Sequence, residues 1–266
     1  MNDALLIEQQ GHVMTWTLNR PETRNPISDA DMIEAFEAAV AQANADHTVR
    51  AVILTGSGSA FSSGGNVKHM RDKEGMFGGS PAQLRNGYRH GIQRIPRAMM
   101  ALEVPAIAAV NGAAIGAGCD LTCMCDMRIA SERAVFAESF VKVGIIPGDG
   151  GAWLLPRAVG MARASEMAFT GDAIDAQTAL AWGLVSQVVP HDELMSRAQA
   201  LAARVVVNPP DVLRMTKRLL QEGQHTRLDT LLELSASMQA LAHHTQDHME
   251  AVNALLEKRQ GQFAGR

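Results

Sequence analysis

No stretch of this 266-residue chain approaches the roughly 20 consecutive apolar residues of a membrane span. The opening MNDALLIEQQ also lacks a basic segment followed by a long apolar one, so neither an anchor nor a secretory leader is expected, and a soluble cytoplasmic protein is. Cysteine is sparse: Cys119, Cys123 and Cys125 stand close together among small and apolar neighbours, with no His or acidic residue spaced to complete a four-ligand zinc site. An odd number in so tight a cluster argues against a secreted disulfide framework, and the three read as small buried hydrophobes. Charge of one sign is lacking too. At a net −4, with Lys and Arg scattered among acids, an extended nucleic-acid surface is excluded but a local anion pocket is not. Neither an internal repeat nor a low-complexity tract is present.

The chain has 47% apolar and 20% charged residues, enough to bury the core of one domain, or of one domain with an appendage. Its most informative features are two glycine-rich turns, AFSSGGN at 60–66 and AVNGAAIGAGCDL at 109–121. Each follows a short, largely apolar run with β-branched residues, VRAVILT at 49–55 and VPAIAAV at 104–110, which reads as a buried parallel strand. The turns then fall at strand C-terminal ends, where α/β folds place ligands. Glycine lets backbone N–H groups approach a ligand closely, and two such turns suit a pair of donors around one carbonyl oxygen.

Residues 4–10 and 12–19 predict a hairpin about Gly11, and Ser28 is expected to cap a helix reaching about Ala45. The segment 66–82 reads as a mobile loop of the kind that covers sites, and 83–103 as a helix through Leu84, Tyr88, Ile92, Ile95 and Met99. Strands are expected within 127–137 and at Val185–Val189, and short helices at Ala176–Gly183, Asp192–Val205 and 211–222. The last helix, 226–258, is about thirty residues long, which suits a subunit interface. In GIIPGDGG at 144–151, Asp149 reads equally as a helix cap or as a functional acid. His69 reads as a solvent-facing loop residue. His244 and His248 have metal-ligand spacing without a third ligand, which favours a solvated helix face. Tyr88, the sole tyrosine, and Met70, Met76, Met99 and Met100 are candidates for an apolar pocket or for the core.

Four ordered motifs, NRPETRN, AFSSGGNVK, NGAAIGAGCDLTCMCDMRIAS and GDAIDAQTALAWGLVSQVV, resemble those of the crotonase (enoyl-CoA hydratase/isomerase) superfamily over nearly the whole chain. The resemblance implies an α/β spiral of ββα units at 1–205 and a C-terminal helical trimerisation region at 206–266, in a homotrimer or a dimer of trimers. It assigns the backbone N–H groups of Gly65 and Ala117 to the thioester oxygen of an acyl-CoA, where they would stabilise an enolate. Losing one such donor costs on the order of 3 kcal/mol of barrier.

Family hydratases pair two glutamates around a water. This chain departs at both positions. Asp120 stands at the first, as in some dienoyl-CoA isomerases of the family, and Phe140, which carries no proton, at the second. Asp149, and after it Glu138, are the carboxylates left to compensate, although related enzymes place the acid of this turn mostly one position earlier, at Gly148. Phe140 beside Asp120 would raise the acid's pKa, which suits a proton shuttle better than a water pair. For coenzyme A, the resemblance points to Arg24 and Lys68 near the phosphates, to Asn66 near the adenine-binding turn, and to Phe263, with Lys258 or Arg266, reaching a neighbouring subunit's CoA. The expected function is hydration or double-bond isomerisation of an enoyl-CoA, with no metal and no cofactor beyond the CoA carried by the substrate. A catalytically silent acyl-CoA-binding protein would explain Phe140 without a substitute base, and an RNA-binding relative gains little support from a net −4 chain.

Overall fold

The computed structural model describes residues 3–266. Strands β1 (Leu5–Gln10) and β2 (Val13–Leu18) form the antiparallel hairpin about Gly11, which takes a left-handed φ of +57°. Four parallel strands extend it: β3 (Ala51–Gly56), β5 (Ala106–Val110), β7 (Met127–Ser131) and β10 (Gln187–Val189), giving the order β1-β2-β3-β5-β7-β10. The continuous apolar runs of β3 and β5 have a direct cause, since both faces of the sheet are covered. Val52 and Leu54 face the main core, whereas Ala51 and Ile53 meet Leu194, Ala198 and Ala202 of α9 (Leu194–Val206) on the other side.

A second sheet runs alongside, in the order β4 (Ala60–Ser62), β6 (Ala113–Ile115), β8 (Val135–Ala137) and β9 (Ala173–Asp175). β3 and β4, β5 and β6, and β7 and β8 are successive in the chain, so each turn of the chain lays one strand in each sheet. The two glycine turns thus lie next to one another, carrying the paired strands β4 and β6.

Helix α1 (Ala30–Ala45) packs on α4 (Arg94–Ala101) through Met32, Ile33, Phe36 and Val40. Its N-cap is Asp29, without a side-chain cap bond. The Ser28 hydroxyl, expected there, instead accepts the Asn66 N–H at 3.0 Å and ties the first glycine turn to α1. The segment 66–82 is more ordered than its composition suggested. It contains α2 (Val67–Asp72), where Asn66 caps the Lys68 and His69 N–H groups, a 3-10 turn at Gly75–Phe77, and the start of α3 (Pro81–His90), held by a Ser80–Gln83 capping box. The helix expected over 83–103 is broken between α3 and α4 about Gly91, whose Cα packs on the Gly87 carbonyl.

Helices α5 (Ala117–Cys123), α6 (Gly151–Val159), α7 (Met161–Thr170) and α8 (Ala176–Trp182) complete the spiral. Beyond it lie α10 (Pro210–Glu222), α11 (Leu228–His243) and α12 (Gln246–Leu256). The single long helix expected at 226–258 is therefore two, because Thr245 leaves helical geometry and its hydroxyl caps the His248 N–H. Helix α10 is locked to the spiral by Lys217, 5% exposed, whose Nζ lies 2.8 Å from Asp126 Oδ2 and donates to the Val104 carbonyl at 2.9 Å. The chain end folds back so that the Arg266 carbonyl accepts the Gln246 and Asp247 N–H groups. No helix among the described residues is long and apolar enough to cross a membrane.

Candidate active site

The two glycine turns interlock through backbone contacts that side chains would prevent. A Cβ on Gly64, at φ +79°, would come 2.4 Å from the Ile115 carbonyl oxygen and 2.9 Å from the Ala117 nitrogen, and one on Gly118 would come 2.3 Å from the Ser62 carbonyl oxygen. Glycine at both positions lets the backbones approach closely, and this brings Gly65, half-buried, beside Ala117, the first residue of α5. Gly116 is held at φ +53° and donates its N–H to the Ala137 carbonyl at 2.7 Å, which sets residue 138 next to the start of α5.

Three buried carboxyls meet behind these turns. Asp120 is fully buried, Glu138 is 1% exposed and Asp149 is 3% exposed. Asp120 is hydrogen-bonded carboxyl to carboxyl with Glu138 and with Asp149, and no N–H donor reaches an oxygen of Asp120 or Glu138. Burial, and then the charges of Glu138 and Asp149, push the Asp120 carboxyl well above the usual carboxylate range. Burial raises Glu138 to about 7, opposed by hydrogen bonds with Asp120 and Cys119, and Asp149 to about 6, opposed first by a hydrogen bond with Asp120 and then by its own and the Gly148 N–H groups. Three such groups cannot all ionise together, so they titrate as a unit. Asp149 does not cap a helix; Gly150, at φ +118°, occupies the N-cap position of α6. Cys119, Cys123 and Cys125 are free and buried around α5.

The apolar wall comes from two directions. Phe140 is 9% exposed and lies over Gly116, with its ring 3.5 Å from where a Cβ would stand. Met70 and Phe77 lie over Gly65, Phe77 meets Tyr88 edge to face at 6.3 Å, and Tyr88 packs on Gly148. The absent side chain at 148 thus leaves room for the Tyr88 ring, and Gln93 Nε2 fastens the Gly148 carbonyl at 2.7 Å. Burial, and then the Asp149 charge, raise the Tyr88 phenol. Of the four methionines considered, Met70 reaches this wall and Met99 is core.

On the outer side of Gly65 a pocket of about 480 Å³ is lined by Thr23, Arg24, Ser63, Asn66 and Lys68 among others. Three of the four residues expected around coenzyme A therefore share one pocket with Gly65. Phe263 lies elsewhere in the protomer: its carbonyl accepts from Arg50 Nη2 at 2.6 Å, at the start of β3 rather than its end. His69 lies on α2 rather than in a loop, and its side chain, 37% exposed, stands between Asp29 (3.3 Å) and Glu74 (3.7 Å). His248 pairs with His243 at 3.0 Å instead of with His244, and among the described residues no group of three or more His, Cys, Asp and Glu is arranged to hold a metal ion.

The family model of enoyl-CoA hydratase/isomerase matches residues 8–266. The chain belongs to this family. Among its relatives, a 1,2-epoxyphenylacetyl-CoA isomerase of Escherichia coli is 36% identical over 266 residues, covering 100% of both chains. A short-chain-enoyl-CoA hydratase of Clostridium acetobutylicum is 35% identical over 256 residues, 96% of this chain and 95% of its own. The solved enoyl-CoA hydratase of Bacillus anthracis superposes with a TM-score of 0.92 at 33% identity, covering 99% of this chain and 100% of its own. The fold is thus the crotonase spiral, and the protein is an acyl-CoA-processing enzyme of the hydratase/isomerase family. These relatives give no support to a silent binder.

Within this hydratase/isomerase, sequence reasoning picked out the three carboxylates but missed what supports them. Gly151, second of the paired glycines after Asp149, has its Cα directly against the Asp120 carboxyl. Met70 and Phe77, which cover Gly65, fall in a segment whose glycines and charges masked its order.

Proposed function

We propose that this enzyme shifts the double bond of an enoyl-CoA rather than hydrating it. The observation that carries the reading is the cluster of Asp120, Glu138 and Asp149 behind Phe140, a site with acids of unequal acidity and an apolar ring where the second hydratase glutamate would stand. The Gly65 and Ala117 N–H groups hold the thioester oxygen, and each such donor is worth about 3 kcal/mol as the enolate forms. Asp149, ionised above about 6, takes the α-proton; Asp120, still neutral, gives a proton to the γ-carbon. The double bond moves by one position and the mass is unchanged. The relative from E. coli is named an isomerase and the one from C. acetobutylicum a hydratase, so both outcomes lie within the family's range.

Arg24 and Lys68 give the pocket beside Gly65 the charge that CoA phosphates need, and Asn66 holds the turn by capping α2. No further cofactor is needed for this chemistry. Exposed Leu228, Leu232, Leu241, Leu255 and Leu256 on α11 and α12 suit burial in a homotrimer or a dimer of trimers, with Phe263 offered to a neighbour's CoA. The test is product analysis on 2-enoyl-, 3-enoyl- and dienoyl-CoA substrates. Double-bond migration at constant mass supports isomerisation; gain of one water on a 2-enoyl-CoA establishes hydration instead.

A further inference from the structure

We propose that Glu138 is a positioning residue for Asp120: its carboxylic O–H holds the Asp120 carboxyl in the orientation from which Asp120 gives its proton to the substrate. The inference rests on the isomerase reading above.

Backbone pairing brings the two groups together. Strand β8 pairs with β6 so that Ala137 stands opposite Ile115, and the Gly116 N–H donates to the Ala137 carbonyl at 2.7 Å. Residue 138 therefore follows where α5 begins, and its carboxyl meets Asp120 and Cys119 of that helix. The oxygens of Asp120 and Glu138 are shielded from solvent, and no N–H group donates to them. Two shielded carboxyls with no donor between them stay together only if a proton lies there. Stability does not explain Glu138, because a buried acid beside two others is costly and an apolar side chain of similar size would burden the fold less. The groups acting on it are Asp120, Cys119 and Asp149, none of them cationic. Cys123 lies behind Cys119, with Arg128 acting on that thiol. On its other side Glu138 borders Leu155, Ala164 and Ala168 of α6 and α7, and neither helix brings a titratable group there.

The donors divide accordingly. Asp149 accepts its own and the Gly148 N–H groups, so it is the member of the cluster best able to carry a negative charge. Asp120 then donates its O–H towards Asp149, and Glu138 is left to donate to Asp120. With one Asp120 oxygen held by Glu138, the other, which carries the proton, is turned to the acyl group and Asp149. In the transfer the Asp120 O–H bond breaks, a C–H bond forms at the γ-carbon from the enolate's electron pair, and the Asp120 carboxylate left behind keeps the hydrogen bond from Glu138. Asp149, holding the α-proton, returns it across its hydrogen bond with Asp120, so the cluster ends the cycle with the protons it began with.

The experiment compares wild type, Glu138→Gln and Glu138→Leu on a 3-enoyl-CoA, measuring kcat, KM and the pH dependence of kcat/KM. Glutamine keeps a donor that cannot ionise, and leucine keeps the volume without a donor. Glu138→Leu is expected to lower kcat on the order of 100-fold with KM within about threefold, as for a catalytic group misplaced by about 1 Å, and Glu138→Gln to recover at least about tenfold of that loss. In wild type, kcat/KM should rise as Asp149 ionises at about 6 and fall as the Asp120–Glu138 pair sheds its first proton at about 7. In Glu138→Gln only Asp120 can shed that proton, so the alkaline fall should move up by about one pH unit or more. A side chain that merely fills space would not move this limb. A Glu138→Gln profile that matches wild type, or a Glu138→Leu kcat within about threefold of it, overturns the assignment while leaving the isomerase reading intact. Should one variant fail to fold, the other decides. A wild-type enzyme that moves no double bond overturns that reading and this inference with it.

Discussion

The carboxyl of Asp120 rests on the Cα of Gly151: a Cβ at that position would come 2.0 Å from Oδ1 and 2.6 Å from Oδ2. Asp120 is fully buried. The proton-handling group and the first turn of α6 are thus fitted to one another.

Gly151→Ala should displace that carboxyl. Because a misplacement of about 1 Å costs on the order of 100-fold in rate, kcat on a 3-enoyl-CoA is expected to drop by about that factor. KM should change little, since the CoA pocket at Arg24 and Lys68 is separate from Gly151. Steady-state kinetics would show the split.

Gly64→Ala meets two penalties at once, a φ of +79° and a Cβ 2.4 Å from the Ile115 carbonyl. The two glycine turns must then separate. Loss of roughly 3 kcal/mol or more of stability is expected, read as a lower denaturation midpoint.

How much of this was legible beforehand differs by element. β3 and β5 were readable because strands covered on both faces carry unbroken apolar runs, and the glycine turns because close backbone approach tolerates no other residue. Asp120 and Asp149 were found as carboxylates that the chemistry lacked. Asn66 capping α2, Thr245 breaking the last helix and Gly151 supporting Asp120 were not, since each depends on which backbone comes near, and composition does not record that.

Stability should fall with rising pH through the range where the buried acids titrate. Glu138 at about 7 and Asp149 at about 6 both lie above their ordinary values, 4.5 and 3.8, so the folded state binds more protons than the unfolded state between those limits. The stabilisation is complete below the ordinary values and is lost as pH passes about 6 to about 7. At 1.36 kcal/mol per unit, each acid penalises the folded state by roughly 3 kcal/mol once ionised. Glu138→Gln and Asp149→Asn should each flatten the decline in unfolding free energy between about pH 4 and about pH 7 in denaturant titrations.

Asn66→Ala removes the side chain that accepts the Lys68 and His69 N–H groups. A lost N-cap costs about 1 kcal/mol, and the α2 turn beside Gly65 loosens with it. CoA affinity, measured by calorimetry, should weaken. Asn66→Asp keeps the cap and should preserve stability.

The isomerase assignment is decided most directly by comparing wild type with Asp120→Asn on a 3-enoyl-CoA and a 2-enoyl-CoA, following product mass and double-bond position. Migration of the double bond at constant mass in wild type, abolished in a folded Asp120→Asn, is the expected result. Gain of one water on the 2-enoyl-CoA as the main reaction, or migration that persists without the Asp120 carboxyl, would contradict it.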